Sequence, residues 1–137
     1  EISATITAFS YDQNTAEMKE IETVSTLPKN FSTQSCADIH ISKDGKFVYA
    51  SNRGHDSIVI FKINQNNGKM EYVAHESTIG NIPRNFGIDP NGNFIIAANQ
   101  DSSDIYSFKV DKELGLLSPT GFSINIPYPV CIKFLKK

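Results

Sequence analysis

The residues with the clearest capacity for acid–base chemistry are an aspartate and a histidine separated by one apolar residue. His40 lies between Ile39 and Ile41, where its imidazole could act as a general acid or base, or orient a reacting water. Asp38 could hold that imidazole in place or pair with an arginine. The alternative is that His40 is a structural histidine, packed between neighbouring parts of the fold.

Two arginines could add positive charge to the same chemistry. The guanidinium groups of Arg53 and Arg84 present a fork of donors that suits a phosphate or a carboxylate. Pro83 stiffens the backbone just before Arg84. Arg53 could instead form a structural salt bridge, for instance with Asp38.

Composition and missing motifs exclude several functional classes. The 137 residues carry 13 Lys and Arg against 15 Asp and Glu, so the chain lacks the basic balance typical of nucleic-acid-binding proteins. Its densest apolar run, residues 94–98, is far shorter than the roughly 20 residues of a membrane-spanning helix. We find no zinc-ligand spacing, EF-hand loop, phosphate-binding glycine-rich loop or G-x-S-x-G motif. We therefore expect no metal, no cofactor, no nucleic-acid partner and no membrane partner.

An internal repeat indicates the architecture that must position these residues. Residues 38–61 and 85–108 align without a gap at an offset of 47 residues, so that Gly45 falls on Gly92 and Asn52 falls on Asn99. A partial copy opens the chain, because residues 8–14 resemble residues 60–66. We expect the extra residues of that first interval to lie around 30–35. Residues 129–134 resemble the opening strand of one more copy.

Each full copy is predicted to form four short strands joined by turns. In the first copy, Val, Ile, Phe and Tyr dominate the predicted strands 38–42, 47–51, 57–63 and 70–77. The turns between them contain Asp-Gly and Asn-Gly pairs, which supply the positive φ that tight hairpins need. Four strands in a repeat of this length are typical of a β-propeller blade.

We therefore predict an all-β fold that is part of one β-propeller domain. Residues 1–30 would end one blade, residues 31–82 and 83–128 would form two full four-stranded blades, and residues 129–137 would form a ring-closing strand. A propeller has at least about four blades. Either the chain is a piece of a longer protein or several copies assemble. We expect the first, because the chain starts inside a blade.

Propeller geometry gathers the candidate residues at one mouth of the central channel. The start of each innermost strand and the loop between the second and third strands share one face of a propeller. That face receives Asp38, His40, Arg53, Arg84 and Asn85, together with residues 99–101. The hairpin turns at 43–45 and 90–92 lie on the opposite face.

Residues 36–53 and 82–100 resemble a known family. The motifs A-D-I-H-I-S-x-D-G at 37–45 and P-R-x-F at 83–86 are similar to those of the propeller-type 6-phosphogluconolactonases. This group is also known as the lactonase, seven-bladed β-propeller family, and it includes fungal carboxymuconate cyclases. The similarity extends over nearly the whole chain.

This resemblance implies a site and a reaction. The chain would be the C-terminal part of a seven-bladed ring, with the remaining blades of its own propeller as partners. The reaction would be hydrolysis of 6-phosphogluconolactone, a small anionic lactone, or reversible lactonisation in the cyclase branch. Six residues of the predicted face would have functional roles: Asp38, His40 and Arg53 in catalysis, and Arg84, Asn85 and Gln100 in substrate binding.

The competing interpretation is a non-catalytic propeller that presents the same face to a protein or a sugar, because fold alone does not determine function. Two arginines and a histidine at one mouth favour catalysis, whereas a protein-binding surface would more often expose aromatic residues. Cys36 and Cys131 are too few for a disulfide framework. Together with the family's metabolic role, this predicts a cytoplasmic location.

Overall fold

A computed structural model describes residues 2–31 and 35–135 of the chain. Within these ranges the chain is all-β, as predicted, and it offers no helix that could cross a membrane. Ten strands form three antiparallel sheets: β1 (Thr5–Tyr11) and β2 (Met18–Ser25); β3 (Cys36–Ile41), β4 (Phe47–Asn52), β5 (Ser57–Ile63) and β6 (Met70–Ser77); and β7 (Pro83–Ile88), β8 (Phe94–Asn99), β9 (Asp104–Val110) and β10 (Leu117–Asn125).

The two four-stranded sheets correspond to the two full copies of the repeat. Each is a meander in which consecutive strands pair, with the orders β3-β4-β5-β6 and β7-β8-β9-β10. Strand β7 lies against β3 and β4, so the first strand of each sheet is the innermost. This confirms a partial β-propeller. The extra residues expected around 30–35 include 32–34, which lie outside the described residues.

The middle strands of the first full blade are buried on both faces because this blade lies between the β1–β2 sheet and the following blade. Successive side chains of a strand point to opposite faces. On β4, Phe47 and Tyr49 join the core shared with the following blade, whereas Val48 and Ala50 join the core shared with β1 and β2. Strand β5 divides its residues in the same way. This double burial explains the apolar runs of β4 and β5.

The end of the chain differs from the prediction in one respect. No strand is assigned within residues 126–135, and residues 136 and 137 lie outside the described residues. A strand requires a backbone partner, and the described blades offer none to this segment. It is docked on β7 nevertheless, because the Ile132 N–H donates to Asn85 Oδ1 at 2.6 Å. Its ring-closing role stays a prediction.

Gly115, in the turn between β9 and β10, should be among the most sensitive positions for stability. Its φ is +75°, and an added Cβ would overlap the Phe47 ring. We expect Gly115→Ala to lower the free energy of unfolding by about 2–5 kcal/mol, because backbone strain and overpacking add. The measurement is urea denaturation.

Gly45→Ala is the matched control for this substitution. Gly45 has nearly the same φ, +73°, but nothing lies within 4 Å of the place that an added methyl group would occupy. The control should therefore lose only about 1 kcal/mol, from the backbone alone. Equal losses in the two variants would show that the Phe47 contact has no energetic weight.

Candidate active site

Three loops meet on the face that the sequence analysis assigns to the site. The loop 78–82 lies between the loops 52–56 and 99–103 and bonds to both. Ile82 N–H donates to Asp56 Oδ1 at 2.9 Å, and the Ile82 carbonyl accepts from Gln100 N–H at 2.9 Å. Thr78 N–H also donates to the Asp56 carbonyl at 3.0 Å. These bonds fix the loops that flank the starts of the innermost strands.

The innermost strand β3 carries a contact between Asp38 and His40. The two residues are separated by one position on β3, so their side chains project from the same side of the strand. His40 Nε2 lies 3.1 Å from Asp38 Oδ2. The same carboxylate oxygen accepts from Asn85 Nδ2 at 2.5 Å and from Phe86 N–H at 3.2 Å. The structure therefore brings together three of the six predicted residues.

His40 is held in place but remains accessible. Its ring packs edge-on against the Phe86 ring, with the centroids 4.8 Å apart, and its side chain is 35% exposed. Because Nε2 faces the Asp38 carboxylate, the proton belongs on Nε2 and the Nδ1 lone pair can accept another. No described residue forms a hydrogen bond with Nδ1.

Arg53 lies at the start of β3, against the backbone of residues 35 and 36. Its guanidinium Nη2 donates to the Cys36 carbonyl at 3.3 Å, and its backbone N–H donates to the Ser35 carbonyl at 2.8 Å. The side chain is half-buried. Within residues 2–31 and 35–135, the His40 imidazole lies against the Asp38 carboxylate, with Nε2 3.1 Å from Oδ2.

The other predicted binding residues lie at the edge of this group. Arg84 is exposed and directly precedes Asn85, and among the described residues its guanidinium has no ion-pair partner. Gln100 is half-buried just after β8. Its backbone reaches the Ile82 carbonyl, so it lies near the start of β7. The Asn85 amide is engaged at both ends, by Asp38 and by Ile132.

Two repeated asparagines have a structural role that the sequence indicates only by their spacing. Asn52 and Asn99 are fully buried at the ends of β4 and β8. Asn52 Nδ2 donates to the Thr26 carbonyl at 2.8 Å, and Asn99 Nδ2 donates to the Thr78 carbonyl at 3.0 Å. Each amide therefore hydrogen-bonds its blade to the segment that follows the last strand of the preceding blade.

Two further histidines, which the sequence suggests are surface residues, are half-buried near the rim of this face. The His55 ring lies 5.1 Å from the His75 ring and 4.6 Å from the Phe31 ring. His75 Nε2 lies 2.8 Å from the Thr26 carbonyl. Burial lowers the pKa of His55, and the neighbouring His75 lowers that pKa further against the opposing charge of Asp56.

The opposite face contains a cavity of about 320 Å³ between the two blades. Its walls include Phe47, Tyr49, Ile88 and Val110, with Lys43 and Lys112 at its edge. None of the six predicted site residues lines it. In the described part of the chain, no three His, Cys, Asp or Glu residues cluster closely enough to hold a metal ion.

The fold and this site define the class of protein: a β-propeller with an aspartate–histidine pair and two arginines at one mouth. The family described as lactonase, 7-bladed beta-propeller, matches residues 1–134, and the chain belongs to that family.

Similar proteins support this assignment. The chain is 42% identical to a 6-phosphogluconolactonase of Bacillus subtilis, over 98% of this chain and 39% of that protein. A crystal structure of a candidate 6-phosphogluconolactonase from Bacteroides fragilis superposes with a TM-score of 0.92 at 40% identity, over 99% of this chain and 37% of that one. A periplasmic gluconolactonase from Pseudomonas aeruginosa has a TM-score of 0.92 at 28% identity, over 99% and 38%. The chain thus spans about two fifths of the length of these relatives.

Proposed function

We propose that this chain forms part of a complete propeller that hydrolyses 6-phosphogluconolactone to 6-phosphogluconate. The observation that carries the proposal is the 3.1 Å contact between Asp38 and His40 on an innermost strand. The chain belongs to a lactonase family, and this membership supports assigning the contact to lactone hydrolysis. We further propose a cytoplasmic location, where the phosphorylated lactone would be available.

The proposed reaction begins with a water molecule at His40 Nδ1. As the water oxygen attacks the lactone carbonyl carbon, Nδ1 takes one of its protons, and Asp38 stabilises the imidazolium through Nε2. The carbonyl oxygen becomes an oxyanion, which the Arg53 guanidinium stabilises. When the bond from the carbonyl carbon to the ring oxygen breaks, His40 returns the proton to that oxygen. The product is an open-chain hydroxy acid.

Substrate binding is assigned to the edge of the site. The exposed Arg84 guanidinium suits the phosphate, because its planar fork can donate two parallel hydrogen bonds to phosphate oxygens. Gln100 would bind the sugar hydroxyls. The sequence predicts substrate binding for Asn85 as well, but protein groups engage both ends of its amide.

The experiment is a hydrolysis assay of the complete protein with 6-phosphogluconolactone, corrected for spontaneous ring opening. We expect turnover well above that background, and a large loss of kcat in Arg53→Ala because the oxyanion loses its donor; one such donor contributes about 10²–10³-fold. Hydrolysis at the background rate would refute the proposed function. Turnover that Arg53→Ala leaves unchanged would refute the oxyanion role.

A further inference from the structure

Side chains of two innermost strands form a continuous chain of hydrogen bonds that ends at His40. The Ile132 N–H donates to Asn85 Oδ1 at 2.6 Å, and Asn85 Nδ2 donates to Asp38 Oδ2 at 2.5 Å. Asp38 Oδ2 lies 3.1 Å from His40 Nε2. This series of hydrogen bonds therefore connects the segment after β10, strand β7 and strand β3.

This series of hydrogen bonds follows from the repeat, except that the two equivalent positions carry a carboxylate in one blade and an amide in the next. Residues 38 and 85 are equivalent in the two blades, and each accepts a backbone N–H from the next innermost segment, Asp38 from Phe86 and Asn85 from Ile132. The amide at position 85 can also donate back to Asp38, which an ionised carboxylate could not do. A carboxylate there would place two negative charges side by side.

The last segment is seated on β7 by close packing as well as by this bond. Gly87 occupies the position equivalent to His40, and a Cβ there would lie 3.0 Å from side-chain atoms of both Ile132 and Phe134. The missing side chain is what allows the segment to approach Asn85. The placement of Asn85 therefore depends on a part of the chain that is distant in sequence from His40.

We propose that Asn85 is a positioning residue, which holds Asp38 against His40 when the segment around Ile132 is docked on β7. This inference rests on the proposed function, since it assigns His40 to catalysis. Asn85 itself contacts neither water nor lactone in this proposal. It fixes the carboxylate that determines the tautomer and orientation of the imidazole.

Asn85→Ala and Asn85→Asp in the complete protein test the proposal. Asn85→Ala should lower kcat by about 100-fold, the scale expected when a reacting group is displaced by about 1 Å. Its KM should stay close to that of the unaltered protein. A rise in KM at constant kcat would overturn the proposal and assign Asn85 to the substrate.

Asn85→Asp gives a readout that a merely structural residue would not. It keeps the acceptor for Ile132, but it can donate to Asp38 only while one proton is shared between the two carboxyl groups. Relative to the unaltered protein at the same pH, the activity of Asn85→Asp should therefore be highest at low pH and fall as that proton is lost, because paired carboxylates raise one pKa. The other ionisable groups on the neighbouring elements are Cys36, Tyr49, Arg53, Arg84, Tyr128, Cys131 and Lys133. Asn66→Asp, the same charge change on an exposed turn, should leave the pH profile unaltered.

A measurement independent of turnover separates this proposal from the proposed function. Nuclear magnetic resonance of ¹⁵N-labelled histidines reports the tautomer of His40. We expect Asn85→Ala and Gly87→Ala both to change the His40 signals, since each disturbs the chain of bonds at a different place. Unchanged signals in both variants would overturn the positioning role. If the unaltered protein did not hydrolyse the lactone but both variants changed the His40 signals, only the lactonase assignment would be refuted.

Discussion

Replacing His40 by alanine in the complete protein is expected to lower kcat for 6-phosphogluconolactone by about 10²–10⁴-fold, the contribution typical of a positioned general base. The His40 imidazole contacts a carboxylate, because its Nε2 lies 3.1 Å from Asp38 Oδ2. Its other nitrogen faces no described partner. Without the imidazole, the attacking water keeps its proton and Arg53 stabilises an oxyanion that forms rarely. Steady-state kinetics at several pH values check this result.

His55→Ala is the matched control for the His40 substitution. His55 is also a half-buried histidine at the same face, but its ring packs on Phe31 and His75 rather than beside Asp38. We expect its kcat to change less than about 3-fold, well below the loss from removal of a general base. If both alanine variants lost activity equally, the effect would come from the packing of the face rather than from proton transfer.

Replacing Arg84 by alanine should raise KM for 6-phosphogluconolactone by about 10–100-fold, because a charge-assisted hydrogen bond contributes about 1.5–3 kcal/mol. Arg84 is exposed, so its guanidinium can reach a phosphate without breaking a structural bond. The same variant should have an unchanged KM for gluconolactone, which is the corresponding lactone without the phosphate. Comparing the two lactones isolates the phosphate contact from any general damage to the site.

Lys43→Ala is the control for the charge change at Arg84. It removes one positive charge from the turn on the opposite face, where Lys43 Nζ donates to the Pro90 carbonyl at 3.0 Å. We expect no selective effect on the phosphorylated lactone. A loss of affinity for both lactones in Arg84→Ala would contradict phosphate binding, and so would an equal loss for the phosphorylated lactone in Lys43→Ala.

The architecture could be predicted from the sequence because its signals are local and repeated. All four strands predicted for the first copy are present, and β3 begins two residues earlier than expected, at Cys36. The glycines at the predicted turns have positive φ, including +73° at Gly45 and +68° at Gly92. Strand alternation and turn chemistry depend on neighbouring residues, so both are visible in the amino-acid order.

The composition of the candidate site was predictable only in part. Asp38 and His40 are neighbours on one strand, and their contact follows from the strand itself. The Asn85 side chain carried no such signal, since its partners are Asp38 and Ile132, each 47 residues away. The family resemblance implied substrate binding for Asn85, which the sequence places on the polar face next to Arg84.

By itself, the sequence determined that the chain consists of repeated four-stranded blades, and it predicted that one polar face carries the candidate site residues. Only the tertiary structure decided how those residues are connected. The packing of one blade on the next places the Asn85 amide between Asp38 and Ile132, and it buries Asn52 and Asn99 against the carbonyls of the preceding blades. Hydrogen bonds between blades depend on the angle and distance at which whole sheets pack. Many side chains together set that angle and distance, so the spacing of residues along the chain does not reveal them.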